Sequence, residues 1–201
     1  MRPFGFFSTL ATAGATIDAI YQVDFGDDIG GRISPAPWNN YDEGSVGFLA
    51  GTSLSNLTDT DSNVSGIEVG ITASFDGVNG AGAADDPADP FVFAATRDGF
   101  ETVSNGTSTI EFRFLDPTKV YQLRLFGSRG FITADSEYEV IGATTEVLLQ
   151  DNRDNGVGGN PFIVSETGDI APDGSNVITV NVTGQGSRGY INVIELIEKT
   201  P

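Results

Sequence analysis

Apolar and polar residues alternate with period two in eight short runs along this chain. In Tyr21-Gln22-Val23-Asp24-Phe25, Tyr, Val and Phe share one face and Gln and Asp the other, which predicts a half-buried strand. The same pattern returns at residues 66–74 (GIEVGITAS), 109–114 (TIEFRF), 120–126 (VYQLRLF), 137–141 (EYEVI), 146–150 (EVLLQ), 177–183 (VITVNVT) and 190–197 (YINVIELI). Gly, Asp, Asn and Pro clusters lie between the runs and supply turn geometry. With no amphipathic helix in sight, eight short strands predict an all-β, antiparallel β-sandwich.

Connections between the runs sharpen the prediction. Leu115-Asp116-Pro117-Thr118-Lys119 reads as a tight turn, with Pro117 fixing φ and Asp116 capping, so the flanking strands are expected to pair as a hairpin. Gly184-Gln185-Gly186-Ser187-Arg188-Gly189 resembles a phosphate loop in its glycines. It lacks the Lys-Ser/Thr pair and a following helix, so it too is expected to be a hairpin turn. Residues 91–98 fit either one helical turn or a short buried strand. Three longer connections, 26–46, 75–90 and 151–161, are of a length that is usually functional or disordered.

Length and composition then bound the architecture. A chain of 201 residues with 39% hydrophobic and 10% aromatic content supports one core, and no shift in composition marks a second. The expected organisation is an extended N-terminal arm over residues 1–20 and a sandwich over 21–201. The start of the chain has one basic residue, an apolar stretch and small residues, as a signal peptide does. Pro3 and Gly5 interrupt that stretch, which favours an uncleaved arm. In such an arm Phe4, Phe6 and Phe7 are candidates for docking into a groove on a neighbouring subunit, or for covering one end of the protein's own core. No stretch reaches the roughly 20 apolar residues of a membrane span.

Charge and missing chemistry narrow the function. The chain has no His, no Cys and only two Lys, Lys119 and Lys199. Ser-His-Asp and Cys-His catalysis and the usual zinc sites are therefore excluded. A balance of 28 acidic to 10 basic residues gives a net charge of −18, which repels phosphate backbones and anionic headgroups. Nucleic acid and membrane surfaces are not expected partners. Carboxylate chemistry of the glycosidase kind survives, but no spacing marks a catalytic pair.

Several motifs, taken in order, resemble one family. They are Val23-Asp24-Phe25-Gly26, Trp38-Asn39-Asn40, Phe75-Asp76-Gly77-Val78-Asn79, Ala95-Thr96-Arg97-Asp98, Leu115-Asp116-Pro117 with Tyr121, Phe126-Gly127-Ser128-Arg129, Ile170-Ala171-Pro172-Asp173 and the closing YINVIEL. Together they resemble the galactose-binding-like jelly-roll modules, similar to carbohydrate-binding modules, of surface proteins from marine and polysaccharide-degrading bacteria. The resemblance spans residues 21–197 and implies a jelly-roll, non-catalytic domain that grips carbohydrate. A small sandwich behind a Phe-rich arm also resembles a tailed-phage virion decoration or tail-appendage protein.

Two sets of residues are candidates for binding. Trp38, Asn39, Asn40 and Tyr41 combine rings that can stack on a pyranose with amides for its hydroxyls, and the alternative role for Trp38 is a plug over a sandwich end. Arg97, Asp98 and Arg129 each follow a strand-like segment and can converge on the same end, or form structural ion pairs. A structural calcium is the second candidate, on Asp59, Asp61 and Asn63 or on Asp151 and Asp154, because hard cations take carboxylate, amide and carbonyl oxygens. The first set has the opening spacing of an EF-hand loop, but Val64 stands where glycine is required and Gly70 where the closing Glu belongs, so an EF-hand is excluded. Ordinary turn chemistry explains each loop taken alone. The reading is a non-enzymatic, surface-exposed binding protein on a virion, with the arm meeting assembly subunits and the sandwich meeting polysaccharide. The alternative is a secreted or cell-surface carbohydrate-binding module that serves polysaccharide degradation.

Overall fold

The computed structural model describes residues 15–27, 33–83, 90–129, 135–152 and 163–201. The strands in chain order are β1 (Thr16–Gly26), β2 (Asn39–Asp42), β3 (Ser53–Ser55), β4 (Glu68–Ala73) and β5 (Gly77–Asn79). After the single helical turn α1 (Phe93–Thr96) come β6 (Gly99–Thr102), β7 (Thr107–Arg113), β8 (Val120–Phe126), β9 (Asp135–Ile141) and β10 (Thr145–Asp151). The last four are β11 (Ser165–Glu166), β12 (Ile178–Gln185), β13 (Gly189–Ile191) and β14 (Val193–Thr200).

Two sheets face each other. One has the order β11-β8-β14-β1-β2 and the other β10-β9-β12-β7-β4-β3, while β13-β6-β5 closes one end as a small third sheet. Pairing is antiparallel throughout except for β1 with β2, which run parallel. The fold is an antiparallel β-sandwich, as the alternation predicts, and of the jelly-roll type that the resemblance implies. Alternate residues of both sheets fill the space between them: Tyr21, Val23 and Phe25 of β1, Leu123 and Leu125 of β8, Ile110 and Phe112 of β7, and Val180 and Val182 of β12 are all buried in one cluster. Phe100 sits at its centre, with its ring 5.4–6.1 Å from those of Phe25, Tyr41, Phe48 and Phe75.

All eight predicted strands are present, with three differences in how they connect. Strand β1 begins at Thr16 and pairs with β14 from Thr200 onward, so residues 16–20 belong to the sandwich rather than to an arm. Both predicted hairpins are corrected. Strand β7 pairs with β12 and β4, and β8 pairs with β14 and β11, so the Asp116–Thr118 turn arches from one sheet to the other. Asp116 does cap that turn, its Oδ1 accepting the Thr118 N–H at 2.8 Å, but its own N–H donates to the Tyr121 hydroxyl at 2.9 Å. Phe114 takes φ +61° and Leu115 drops into the core, which sends the chain across the end of the sandwich. Likewise β12 turns at Gly186, φ +70°, into β13, whose ladder partner is β6.

Residues 91–98 form the helical-turn alternative. They lie against the outer face of the β1 sheet, where Phe91, Ala95, Ala83, Phe126 and Val193 make a second, smaller core. Arg124 closes it from the side with its guanidinium 5.5 Å from the Phe91 ring centre, while also binding Glu166 and the nearly buried Glu195. The closing YINVIEL run is split at Asn192, whose buried side chain accepts the Ser128 N–H at 2.8 Å and donates to the carbonyls of Thr96 and Asp98. That one amide fastens α1 and the end of β8 to the β13–β14 junction.

Candidate functional site

The strand β2 decides what becomes of the Trp38-Asn39-Asn40-Tyr41 motif. Successive side chains of a strand point to opposite faces, so Asn39 and Tyr41 turn into the sandwich while Trp38, Asn40 and Asp42 turn outward. Tyr41 is fully buried, stacked on Phe25 at 5.6 Å with its hydroxyl on Thr52, and offers no ring face to a sugar. Asn39 spends its amide on the Gln22 and Thr58 carbonyls and its oxygen on the Thr58 N–H. Asn40 clamps both backbone groups of Ser34. The predicted four-residue sugar site is therefore divided, and two of its members are structural. Trp38 is half-buried, edge-on to Phe91 at 6.1 Å, over the small outer core.

Beside Trp38, the outward positions of β1 and β2 carry acid. Asp24, Gly26, Asp27, Ile33, Asn40 and Asp42 line a tight crevice with no free volume for a water molecule. Asp98 closes on it from above Gly26, its Oδ2 accepting the Asp27 N–H at 2.8 Å. Burial pushes the Asp24 carboxyl up to about 8, the neighbouring Ser34 opposes the rise, and the charges of Asp98 and Asp42 add to it. Asp24 is therefore a protonated acid at neutral pH. The crevice is smaller than the few hundred Å³ of a usual ligand site, so it is built for Asp24 and its neighbours rather than for a sugar ring. Arg97, next to Asp98, lies over the Phe93 ring at 5.6 Å with part of its surface in solvent.

Arg129 goes elsewhere. Its guanidinium binds Glu101 at 3.3 Å and the Tyr190 hydroxyl, and sits 5.2 Å from the Tyr190 ring centre, while Arg188 takes the other oxygen of Glu101. Thus Trp38, Asn40, Arg97 and Asp98 share one end of the sandwich, Asn192 ties Ser128 to Asp98 there, and from that end the Arg129 side chain turns into an ion-paired cluster on the small third sheet.

Of the calcium candidates, Asp59 is the best resolved. Its carboxylate is taken up by the N–H groups of Asp61 and Asn63 and by the Asn63 amide, hydrogen bonds that hold its pKa below the usual carboxylate value. This is the turn-capping role that Asp commonly plays. Asp61 is exposed and Asp151 ends β10. Asp154 lies outside the described residues, as do Phe4, Phe6 and Phe7. Among the described residues no three acidic groups stand close enough together to hold a metal ion.

A groove of ligand size lies on the outer face of the other sheet. It measures about 410 Å³ and is lined by Asp135, Glu137, Leu149, Gln150, Asp151 and Gln185. Ladder register builds it: Asp151 of β10 pairs with Asp135 of β9, which pairs with Gln185 of β12, and one step along Leu149 pairs with Glu137. Side chains two residues apart share a face, so acids, an amide and one exposed leucine stand in a patch three strands wide. Gln185 donates to the Glu137 carboxylate at 3.1 Å, which fixes both. Beneath them, buried Gln150 donates to the Gly127 carbonyl at 2.8 Å, and its Oε1 has no protein donor. Only Asp151 of this set is among the sequence candidates. The rest emerge from three strands separated by up to 50 positions in the chain, and no local motif joins them.

No protein-family model and no curated protein sequence matches the chain. Among solved structures it is similar to TmCBM61, crystallised with β-1,4-galactotriose, at 16% identity over 66% of this chain and 88% of that one, with a TM-score of 0.33. It is similar to the exo-β-1,3-galactanase of Phanerochaete chrysosporium with galactose at 16% identity, 73% and 33% coverage, and a TM-score of 0.36. A third likeness is to the enzymatically active domain of tailspike protein 4 from bacteriophage CBA120, at 15% identity, 64% and 18% coverage, and a TM-score of 0.29. The chain spans a third or less of the latter two. The fold assignment itself rests on the strand order and register above.

Proposed function

We propose that this chain is a non-catalytic carbohydrate-binding module, with the groove across β9, β10 and β12 as its sugar site. The observation that carries this reading is the groove's make-up. Amide and carboxylate groups from three adjacent strands are held by their own hydrogen bonds beside one exposed apolar side chain, the arrangement that suits a ring with hydroxyls on its rim and C–H groups on its face. Preset polar groups lose little freedom on binding, which matters for a ligand as hydrophilic as a sugar. Asp24, whose carboxyl is raised to about 8, sits in the tight crevice on the opposite sheet, away from the groove.

The proposed setting is display on a larger assembly, such as a virion surface, held by the segment before β1. Its support is the Phe-rich sequence of that segment, and its test is deletion of residues 1–14, which stops short of β1 and should abolish incorporation while leaving the fold intact. Retained incorporation favours a secreted module instead.

Affinity electrophoresis against a panel of neutral plant and marine polysaccharides tests the sugar site. Retardation should weaken about tenfold in Gln185→Ala, the worth of one lost ligand hydrogen bond, and should be unchanged in Trp38→Ala. Loss in Trp38→Ala with none in Gln185→Ala moves the site to the β2 end. Release of reducing ends by the purified chain overturns the non-catalytic assignment.

A further inference from the structure

Sheet edges are the places where one chain can add its backbone ladder to another, and among the described residues all but one of the edge strands are short. The edge strands β2, β3, β5, β11 and β13 run only two to four residues. Strand β10 is the exception. It forms the far edge of the six-stranded sheet, runs seven residues, and among the described residues is paired on one side only, with β9. Its sequence, TEVLLQD, has no Lys, Pro or bulge to discourage pairing. On its outer face Val147 and Leu149 are 56% and 70% exposed, side by side. Its one glutamate, Glu146, is drawn inward to accept the Gly168 N–H and leaves the outer face free of that charge.

We propose that β10 is a self-association edge, along which two copies of this chain pair antiparallel about a two-fold axis at Leu148, so that their six-stranded sheets become one. The occupant is a second copy because the strand complements itself in this register. Pairing about Leu148 uses all seven residues and sets Val147 against Leu149 of the other copy, twice. It also sets Glu146 against Gln150 and Asp151 against Thr145, so no carboxylate opposes another. Shifting the axis to Val147 or Leu149 shortens the ladder to five residues of β10. The interface is a strand length of about 24 Å with two apolar pairs, which belongs to the weak, reversible class. Each copy carries a charge of −18, so association strengthens with ionic strength as that repulsion is screened. The inference is independent of what the groove binds, although pairing would bring two grooves together across the axis.

The test is sedimentation of the full chain over a concentration series at about 0.1 M and about 1 M salt. The mass should rise toward that of a dimer with concentration, and at lower concentration in the higher salt. Val147→Lys and Leu149→Lys, both exposed and so neutral to folding, should each shift the midpoint tenfold or more, while Val64→Lys, equally exposed but elsewhere, should not. Because the chain has no cysteine, register can be read directly. Under mild oxidation, an equal mixture of Val147→Cys and Leu149→Cys proteins should give the mixed disulfide in excess over either like pair. A chain that stays monomeric throughout, a dimer indifferent to both lysine variants, or cross-linking that favours like pairs overturns the proposal.

Discussion

Single side chains do the joining in this molecule, and Asn192 shows how much one amide can hold. It reaches the end of β8 through Ser128 and both sides of α1's exit through Thr96 and Asp98, all without solvent. Gly99 is required beside it, since a Cβ there would stand 2.7 Å from the Asn192 Cγ. Asn192→Ala removes three hydrogen bonds to buried backbone groups, although the Thr96 carbonyl keeps the Ala83 N–H, and should cost about 2 kcal/mol in chemical denaturation. A loss under 1 kcal/mol would show that the junction is held by something else. Asp24 makes a second prediction. Folded, it keeps its proton up to about pH 8, whereas unfolded it ionises near 3.8, so the folded chain binds the extra proton between those values and stability falls as pH rises through the window. Asp24→Asn has no charge to bury, and its melting temperature should gain on the wild type progressively from pH 5 to pH 8. Parallel pH profiles for the two proteins would show that Asp24 is ionised in the fold. Asp24, Asn192 and Tyr41 all stand within motifs, but nothing local in the sequence marks their side chains as structural. Tyr41 illustrates the reason: a ring that could stack on sugar and a ring that fills a core are the same residue until its strand has an inside.

Strands were the most legible level, because alternation is a local property and each of the eight predicted runs is a strand. Their partners were not legible. At Asp116-Pro117 the turn chemistry was read correctly, and Asp116 caps the turn as expected. The same chemistry serves a hairpin within one sheet and an arch between two, however, and the choice depends on Phe114 turning to positive φ and Leu115 entering the core. Tyr121 locks the arch: its hydroxyl accepts the Asp116 N–H and donates to Glu198 at 3.1 Å, while burial pushes its pKa upward. Tyr121→Phe keeps the ring in the core and removes only those two bonds. It should lower stability by about 1.5 kcal/mol without changing the fold, read by urea midpoints at constant slope. An unchanged midpoint would mean that the arch needs no lock. The groove escaped the sequence for a related reason. Its residues are alternate positions of three strands brought together by ladder register, and register is invisible until the order β10-β9-β12 is known.

At the scale of the whole molecule, the two outer faces are built differently. The face of the β1 sheet is covered: residues 91–98, Trp38 and Arg124 seal a second core over it and leave room for little more than the Asp24 crevice. Among the described residues the face of the β7 sheet is open, and apart from Val147 and Leu149 of β10 many of its outward side chains are polar and mutually bonded, as in Thr109 to Asn181 and Asn181 to Glu139. That asymmetry is the support for the proposal that recognition belongs to the open face and that the end holding Trp38 is structural. The most direct measurement is backbone-amide NMR of the full chain titrated with a neutral oligosaccharide that is retarding in affinity electrophoresis. The account predicts shift changes confined to residues 135–137, 149–151 and 185, with the sugar's own resonances intact after prolonged incubation. Changes centred on Trp38, Arg97 and Asp98, or the appearance of cleaved product, would contradict it.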